Sequence, residues 1–441
     1  MTDLAVRWVR RWMPDPFVYA AGLTALTFAL ALLAGPASPS PESLPLLLVD
    51  AWFHGLFRIL EFAMQMALVL LAGHALASAP PVRRLLSAIA ALPKRPSHAA
   101  ALLVLVSMAA SFLNWGFGLV TAALLAREVG RRVRGLDFPL AVAAAYSGFV
   151  VFASGFSSSI ALVSATPGSA MNFIEKATGR TAPFAETIFT AYNLAPVAFL
   201  ALAVPLLFAA LRPAEVRELA AAPEPSQPRA AAEATPAARL ERHPAFVLVP
   251  VGLGAAWFVQ AAARGTLRPD VNVVIAAFLF AGLLLHGRPT RYLEAWSDGA
   301  RAVGPILLQY PLYGGILGLL TSSALVGRLS HAAAALSTHR TFPLLAFLSS
   351  NVVSLFVPSA GGHWAIQGPI MLPAAAALHV SPAVTAMAVA MGEETANMVQ
   401  PFWALPILAI AGLSARDIMG YCLATFGLGL LAYGASLALL G

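Results

Sequence analysis

Charge is what this sequence has least of: Asp, Glu, Lys and Arg together make up 11% of its 441 residues, against about 25% in an ordinary soluble domain. With 59% hydrophobic residues and a mean hydropathy of +0.78, that shortage excludes a water-soluble enzyme and a disordered chain alike. Only one cysteine is present, Cys422, so no disulfide scaffold can form within the chain and the redox compartment stays open. A long basic tract is also lacking. The net charge of +7 comes from 27 basic residues set in short clusters between apolar runs, which read as topology signals and not as a phosphate-binding face. No nucleic-acid partner is expected.

Long apolar runs fill the space that charge leaves. A transmembrane helix needs about 20 mostly apolar residues, and the runs 17–35, 59–78, 138–165, 189–211, 246–263, 271–287, 303–326, 383–412 and 418–440 fall near or above that length. The first follows a basic, amphipathic stretch over 1–13 and lacks an Ala-x-Ala exit, so it is read as a span and not as a cleaved leader. Two further stretches, 98–127 and 341–379, are too long for one span and too short for two with a loop, and each has a polar, Gly-rich centre. Both are expected to be re-entrant helical hairpins.

With the hairpins returning to the face they came from, twenty Lys and Arg residues fall on one side and seven on the other. The positive-inside rule then puts the N-terminus, Arg131 and Arg242 in the cytoplasm and Lys176 and Arg340 outside. The fold class expected is an all-α polytopic membrane protein with two inverted-topology repeats, each holding a re-entrant hairpin and an interrupted helix. Residues 1–50 hold the amphipathic segment and first span, and 51–211 the first repeat, with hairpin 98–127 and interrupted helix 138–168. A cytoplasmic linker, 212–244, is rich in Ala, Pro, Glu and Arg and is expected to be flexible and without chemistry. Two spans and an interfacial segment follow in 245–302, then the second repeat in 303–441, with hairpin 341–379 and interrupted helix 383–412. Such inverted repeats with broken helices place transport sites near the bilayer midplane.

Polar residues at membrane depth are costly, so those at the interruptions are the candidates for function. Asn114 and Gly116 lie in the first hairpin tip, and Gly361, Gly362, His363 and Gln367 in the second. Ser157, Ser158 and Thr166 belong to the first interrupted span, and Glu393, Glu394, Asn397 and Gln400 to the second. Glycines let the backbone approach a ligand, and a half-helix leaving each tip points its positive end inward, so a small anion can be held without a buried Arg or Lys. The expected substrate contacts are Asn114, Gly116, Ser157, Ser158, Thr166, Gly361, Gly362, His363, Gln367, Asn397 and Gln400. Ion coupling is expected at Glu393, with Asn114, Asn397 and Glu394; Na⁺, if it is the ion, belongs near Asn114, Ser158 and Asn397, where side-chain and unwound carbonyl oxygens suit a hard cation. No cofactor is expected beyond coupling H⁺ or Na⁺.

Three runs resemble the bacterial short-chain fatty acid transporter family: Asn-Trp-Gly-Phe-Gly-Leu at 114–119, Gly-Gly-His-Trp-x-Ile-Gln-Gly-Pro at 361–369 and Gln-Pro-Phe-Trp-Ala-Leu-Pro at 400–406. Arg-Trp-Met-Pro-Asp-Pro at 11–16 and Arg-Asp-Ile-Met-Gly-Tyr-Cys at 416–422 are similar to it as well, so the likeness runs from end to end. It departs at Glu394, where the family pattern reads Gly-Glu-Gln. The resemblance implies uptake of small monocarboxylates such as butyrate or acetoacetate across the bacterial inner membrane. Membership of the wider superfamily of ion-coupled carboxylate carriers implies scaffold and transport domains, a homodimer and elevator movement.

Other readings stay open on the residues. A channel for small weak acids would need no coupling ion, and His363 near Ser359 invites an intramembrane Ser–His hydrolase, although nothing resembles a nucleophile elbow or an oxyanion hole. Any one interruption also fits a kink at a packed helix crossing, and Trp115, Trp364 and Trp403 fit packing as well as ligand contact. Recurrence at equivalent repeat positions favours a site. Within it Glu393 is the preferred coupling group: a carboxylate beside the apolar run 383–391 must meet a cation or take a proton, and no Lys or Arg occurs between Arg340 and Arg416. Consecutive helical residues lie about 100° apart, so Glu394 cannot face the same site unless the helix unwinds.

Overall fold

The computed structural model describes residues 16–38, 42–213, 215–219, 235–355, 357–400 and 402–441. The amphipathic segment 1–13, most of the linker and Pro401 lie outside them. Helix α1 (Pro16–Ala34) is followed by α2 (Leu44–Arg58) and α3 (Leu60–Ser78), which Ile59 alone separates, and by the short amphipathic α4 (Pro80–Ala90). Helices α5 (Pro96–Leu113) and α6 (Trp115–Arg132) form a hairpin whose turn is the single residue Asn114. Next, α7 (Phe138–Ser147) runs into a 3₁₀ turn (Gly148–Val151), the helix breaks, and α8 (Ser159–Ala165) resumes it; α9 (Phe173–Thr178) and α10 (Ala191–Ala210) close the first half.

Between the halves lie α11 (Pro236–Glu241), α12 (Ala245–Ala263), α13 (Val271–His286) and α14 (Pro289–Ala300). The second half repeats the order of the first: a long helix, α15 (Gly304–Ser322), a short one, α16 (Leu325–Ala335), and a hairpin of α17 (Phe342–Ser354) and α18 (Ala360–Ala377). A broken helix, α19 (Pro382–Ala396) and α20 (Ala404–Ala411), and a plain one, α21 (Ala415–Leu440), complete it. The fold is all-helical: among the described residues the only β-type pairing is one isolated bridge, Pro36 with Ser323. Proline sets many of the helix starts, standing in the first turn of α4, α5, α7, α14, α17 and α19, where its missing N–H costs nothing and its fixed φ suits the helix.

Six helical stretches among the described residues are long and apolar enough to cross a membrane. The most exposed is α12, whose Leu248, Val249, Leu253, Trp257 and Val259 present an apolar surface, as a helix facing lipid requires. The broken helices lie at the other extreme. Nearly every residue of α7, α8 and α19 is buried, polar ones included.

One helix is not foreseen by hydropathy. In α2 the polar residues Asp50, His54 and Arg58 recur every four positions and break up the apolar run. That spacing puts them on one exposed stripe, where His54 pairs with Asp50 at 3.2 Å, and leaves Leu48 and Gly55 buried on another face. Leu48 packs with Leu319, Gly55 lies against Gly314, and the Phe62 and Tyr310 rings are 5.9 Å apart. Helices α2 and α3 therefore form one bent rod running antiparallel to α15. The last helices of the two halves are paired likewise: Ser436 near the end of α21 donates to the Tyr192 carbonyl at the start of α10 (2.7 Å), while Arg217 beyond α10 meets Asp417 at the start of α21 (2.8 Å).

The linker is not free throughout. The Arg217 carbonyl accepts from Phe138 N–H at 2.8 Å, its own N–H donates to Asp137 at 2.9 Å, and Glu218 accepts from Gly135 N–H at 2.6 Å. Residues 215–219 are thus held across the start of α7. Hydropathy could not reveal this, because the contacts are backbone and charge contacts with no apolar period.

Candidate functional site

Each interruption has a local cause. Asn114 caps α6 by accepting from Phe117 N–H at 2.9 Å, which lets one residue turn the hairpin. The tip is then fastened to the first broken helix, since Trp115 N–H donates to the Ser157 hydroxyl at 2.7 Å and Phe156 N–H to the Phe112 carbonyl at 2.8 Å. Gly155 permits that approach: a Cβ there would stand 2.6 Å from Phe112 Cα. Ser158 caps α8 in its turn, accepting from Ala161 N–H.

At the second break, Asn397 links the elements. Its carbonyl accepts from the Tyr146 hydroxyl at 2.8 Å, its amide donates to Glu393 Oε1 at 3.0 Å, and its side-chain oxygen accepts from the Gln400 amide. Glu393, Asn397 and Gln400 are thus brought together as the sequence suggested. The two adjacent carboxylates lie in the last turns of α19, still helical, and face different neighbours. Glu394 Oε2 accepts from Ala153 N–H (2.8 Å) and Ser154 N–H (3.2 Å), and its Oε1 from the Ser154 hydroxyl (2.6 Å). Glu393 is equally buried, but its Oε2 has no hydrogen-bond partner among the described residues. Glu394 therefore satisfies the broken backbone of the first repeat, while Glu393 keeps a free oxygen in the interior.

Several expected contacts take other roles. Thr166 ends α8, donating to the Leu162 carbonyl and accepting from Val271 N–H, which ties it to α13. Gly116 packs on the Leu70 backbone. Inside the second hairpin, His363 Nε2 lies 3.1 Å from the Ser350 hydroxyl and also meets the Gln367 side-chain oxygen, while Gln367 donates to Ser349 at 2.9 Å. The Ser359 hydroxyl donates to Tyr310 at 2.9 Å, so the Ser359–His363 pairing is not formed, and the serine that meets His363 is Ser350. Gly361 and Gly362 sit in the first turn of α18, where a Cβ on Gly362 would meet the Tyr313 ring, 2.5 Å from Cε2. Their role is close packing, Gly361 against Phe62 of α3 and Gly362 against α15, with no left-handed backbone.

The four interruptions nevertheless converge. Around one narrow cavity of about 10 Å³ stand Trp115 from the first tip, Phe149, Phe152 and Ser159 from the first broken helix, Ser359 and Ala360 from the second tip, and Trp403 from the second break. Ile306 and Tyr310 of α15 complete the wall. A space of this size admits about one water molecule. Trp115 and Trp403 meet edge to face at 5.1 Å, and Phe149 stacks on Phe152 at 4.2 Å. Among the described residues no Lys or Arg lines the cavity. The positive ends of α6 and α18 both reach it, and among the described residues the buried indole N–H groups of Trp115 and Trp403 find no partner, nor does the Asn114 amide nitrogen.

None of the expected contacts lines this cavity: Asn114, Ser157 and Ser158 stand one or two positions from a lining residue, Thr166, His363, Gln367, Glu393, Asn397 and Gln400 stand further along the chain, and aromatic residues form most of the wall. Tyr310 carried a signal in the sequence, since Gln309, Tyr310 and Tyr313 interrupt an otherwise apolar span; Phe149, Phe152 and Ile306 carried none.

The family described as short chain fatty acid transporter matches residues 1–440. A relative from Escherichia coli K12, provisionally named a short-chain fatty acid transporter, is 40% identical over 423 residues, covering 95% of this chain and 94% of its own. One from Haemophilus influenzae with the same provisional name is 37% identical over 425 residues and 94% of each chain. Among solved structures, the Alcanivorax borkumensis YdaH transporter, whose crystal structure is described as having an unusual topology, is similar in fold. Its TM-score is 0.61 at 15% identity, over 96% of this chain and 98% of that one.

Proposed function

The chain belongs to the short-chain fatty acid transporter family, and from that premise we propose that it is a secondary active carrier of short-chain monocarboxylates, butyrate and acetoacetate among them, coupled to H⁺ or Na⁺. The observation that carries this reading is the meeting of both hairpin tips and both helix breaks at one cavity that no basic residue lines. Helix N-termini and neutral donors suit a carboxylate there, and its charge is balanced by an ion taken up with it. Glu393 is the group assigned to that ion, because its free oxygen is buried and, among the described residues, no salt bridge reaches it. A cation or proton there replaces the missing basic partner.

The antiparallel pairing of α3 with α15 and of α10 with α21 supports repeats of inverted topology, since equivalent helices of such repeats run in opposite senses. In this reading the hairpins and broken helices move as a transport domain against α2, α3 and α15, in a dimer seated in the bacterial inner membrane. Radiolabelled butyrate uptake into proteoliposomes tests it. Saturable accumulation that needs an imposed H⁺ or Na⁺ gradient and collapses with it is the expected result. Flux that neither saturates nor depends on a coupling ion would make the protein a channel.

A further inference from the structure

Two of the residues that line the cavity carry hydrogen-bond donors with no acceptor among the described residues. Trp115 is 4% exposed and Trp403 is partly buried, yet both indole nitrogens lie buried and unpartnered, on rings that meet at 5.1 Å. A buried donor without an acceptor is destabilising, so buried polar groups are as a rule paired. An indole nitrogen can only donate, so the missing partner is an acceptor. Trp364 on the second hairpin provides the contrast: its indole donates to the Met171 carbonyl at 3.1 Å and is fully used. Trp52 and Trp296 also have unpartnered indoles, but neither lines this cavity. What singles out Trp115 and Trp403 is that both stand at the same opening as two helix N-termini.

A third donor there is engaged in a replaceable contact. Ser359 precedes α18 and makes no side-chain cap; its hydroxyl goes to Tyr310 of α15 instead. The cavity as it stands is too small for a carboxylic acid of several carbons, so entry requires the hairpin to draw away from α15, and the Ser359–Tyr310 bond is the contact such a movement breaks.

We propose that Trp115 and Trp403 form the head-group subsite of the cavity: their indole N–H groups, joined by the Ser359 hydroxyl once it leaves Tyr310, hold the substrate carboxylate, and Phe149, Phe152 and Ile306 take its short acyl chain. This rests on the carrier reading above and names the residues that carry out its recognition step. Neutral donors suit a carrier, because they stabilise the anion without a fixed buried cation whose desolvation would have to be offset when the site is empty.

The test uses the full chain in proteoliposomes and measures the half-saturation for butyrate and the inhibition of its uptake by butyramide, a neutral analogue. Trp115→Phe and Trp403→Phe keep an aromatic ring and remove the N–H. Each is expected to raise the butyrate half-saturation about tenfold or more, the low end for a hydrogen bond to a charged group, while butyramide inhibition weakens less, because its neutral carbonyl oxygen accepts a weaker bond. The preference for the anion therefore narrows, which a purely structural role would not produce. Trp364→Phe is expected to leave that preference unchanged. Should a Phe variant fail to fold, 3-benzothienylalanine at the same position replaces N–H by sulfur within the same bicyclic shape. Wild-type uptake with an unaltered anion preference in both N–H-deleted proteins overturns the indole assignment alone. No wild-type uptake of butyrate overturns the carrier reading and this assignment with it.

Discussion

At the scale of residues, Glu393 and Glu394 show how far a sequence can speak. Both were legible as functional candidates, because two acids in an apolar segment without a basic partner need some compensation. Their division of labour was not, since it depends on donors more than 200 residues from Glu394: Ala153 and Ser154 occupy that carboxylate, whereas among the described residues Glu393 is reached by Asn397, one turn on, alone. Substitution by glutamine should separate them. In Glu393→Gln the retained oxygen still accepts from Asn397, but the free oxygen becomes an amide that can neither take up a proton nor bind a cation. Gradient-driven accumulation of butyrate should be lost and counterflow exchange kept; accumulation with wild-type pH and Na⁺ dependence would exclude the coupling role. In Glu394→Gln the remaining oxygen can serve both backbone N–H groups while the amide donates to Ser154, whose hydroxyl can turn to Tyr433, 3.2 Å away. Uptake should therefore persist. Glu394→Ala strands buried donors at a cost of about 1–3 kcal/mol, and its melting temperature in detergent should fall below that of Glu394→Gln; equal melting of the two would remove the clasp between the breaks.

Among the elements, the hairpins and broken helices were readable because Gly, Pro, Ser and Asn punctuate apolar runs at recurring places, whereas α2 was obscured by its stripe of Asp50, His54 and Arg58. What the tips touch was less readable, for glycine signals close approach without saying to what. For Gly362 the neighbour is the Tyr313 ring, fully buried on α15. Gly362→Val should push the second hairpin off that helix, at an overpacking cost of about 1–3 kcal/mol, and lower butyrate uptake by roughly tenfold or more at normal expression. Removing the ring in a Gly362→Val, Tyr313→Ala double variant should restore part of the loss, because the cause is steric. Wild-type transport by Gly362→Val would show that the hairpin does not need to seat flush on α15. A double variant no better than the single would place the fault elsewhere in the tip.

For the molecule as a whole, the appearance of α2 bears on which side every later segment faces. Were α2 and α3 two separate crossings, each loop after them would change sides relative to the N-terminus. The contacts favour a single passage: Leu48, Gly55 and Phe62 meet Leu319, Gly314 and Tyr310 in reverse order along α15, so α2 continues into α3 as one path across the same layer. The side assignments expected from the basic residues are then unaffected, with twenty of the 27 expected inside. Arg131, Lys176, Arg242 and Arg340 are all exposed and suit single-cysteine probing in a Cys422→Ser background, where the native cysteine is itself buried. In right-side-out vesicles an impermeant maleimide should label positions 176 and 340, and positions 131 and 242 only after permeabilisation. Position 131 lies in the last turn of the first hairpin and position 340 just before the second, so they report the relation between the repeats directly. Labelling of both from the same side would mean that the two halves enter the membrane in the same sense, and the antiparallel pairing of α10 with α21 would then need an explanation other than inversion.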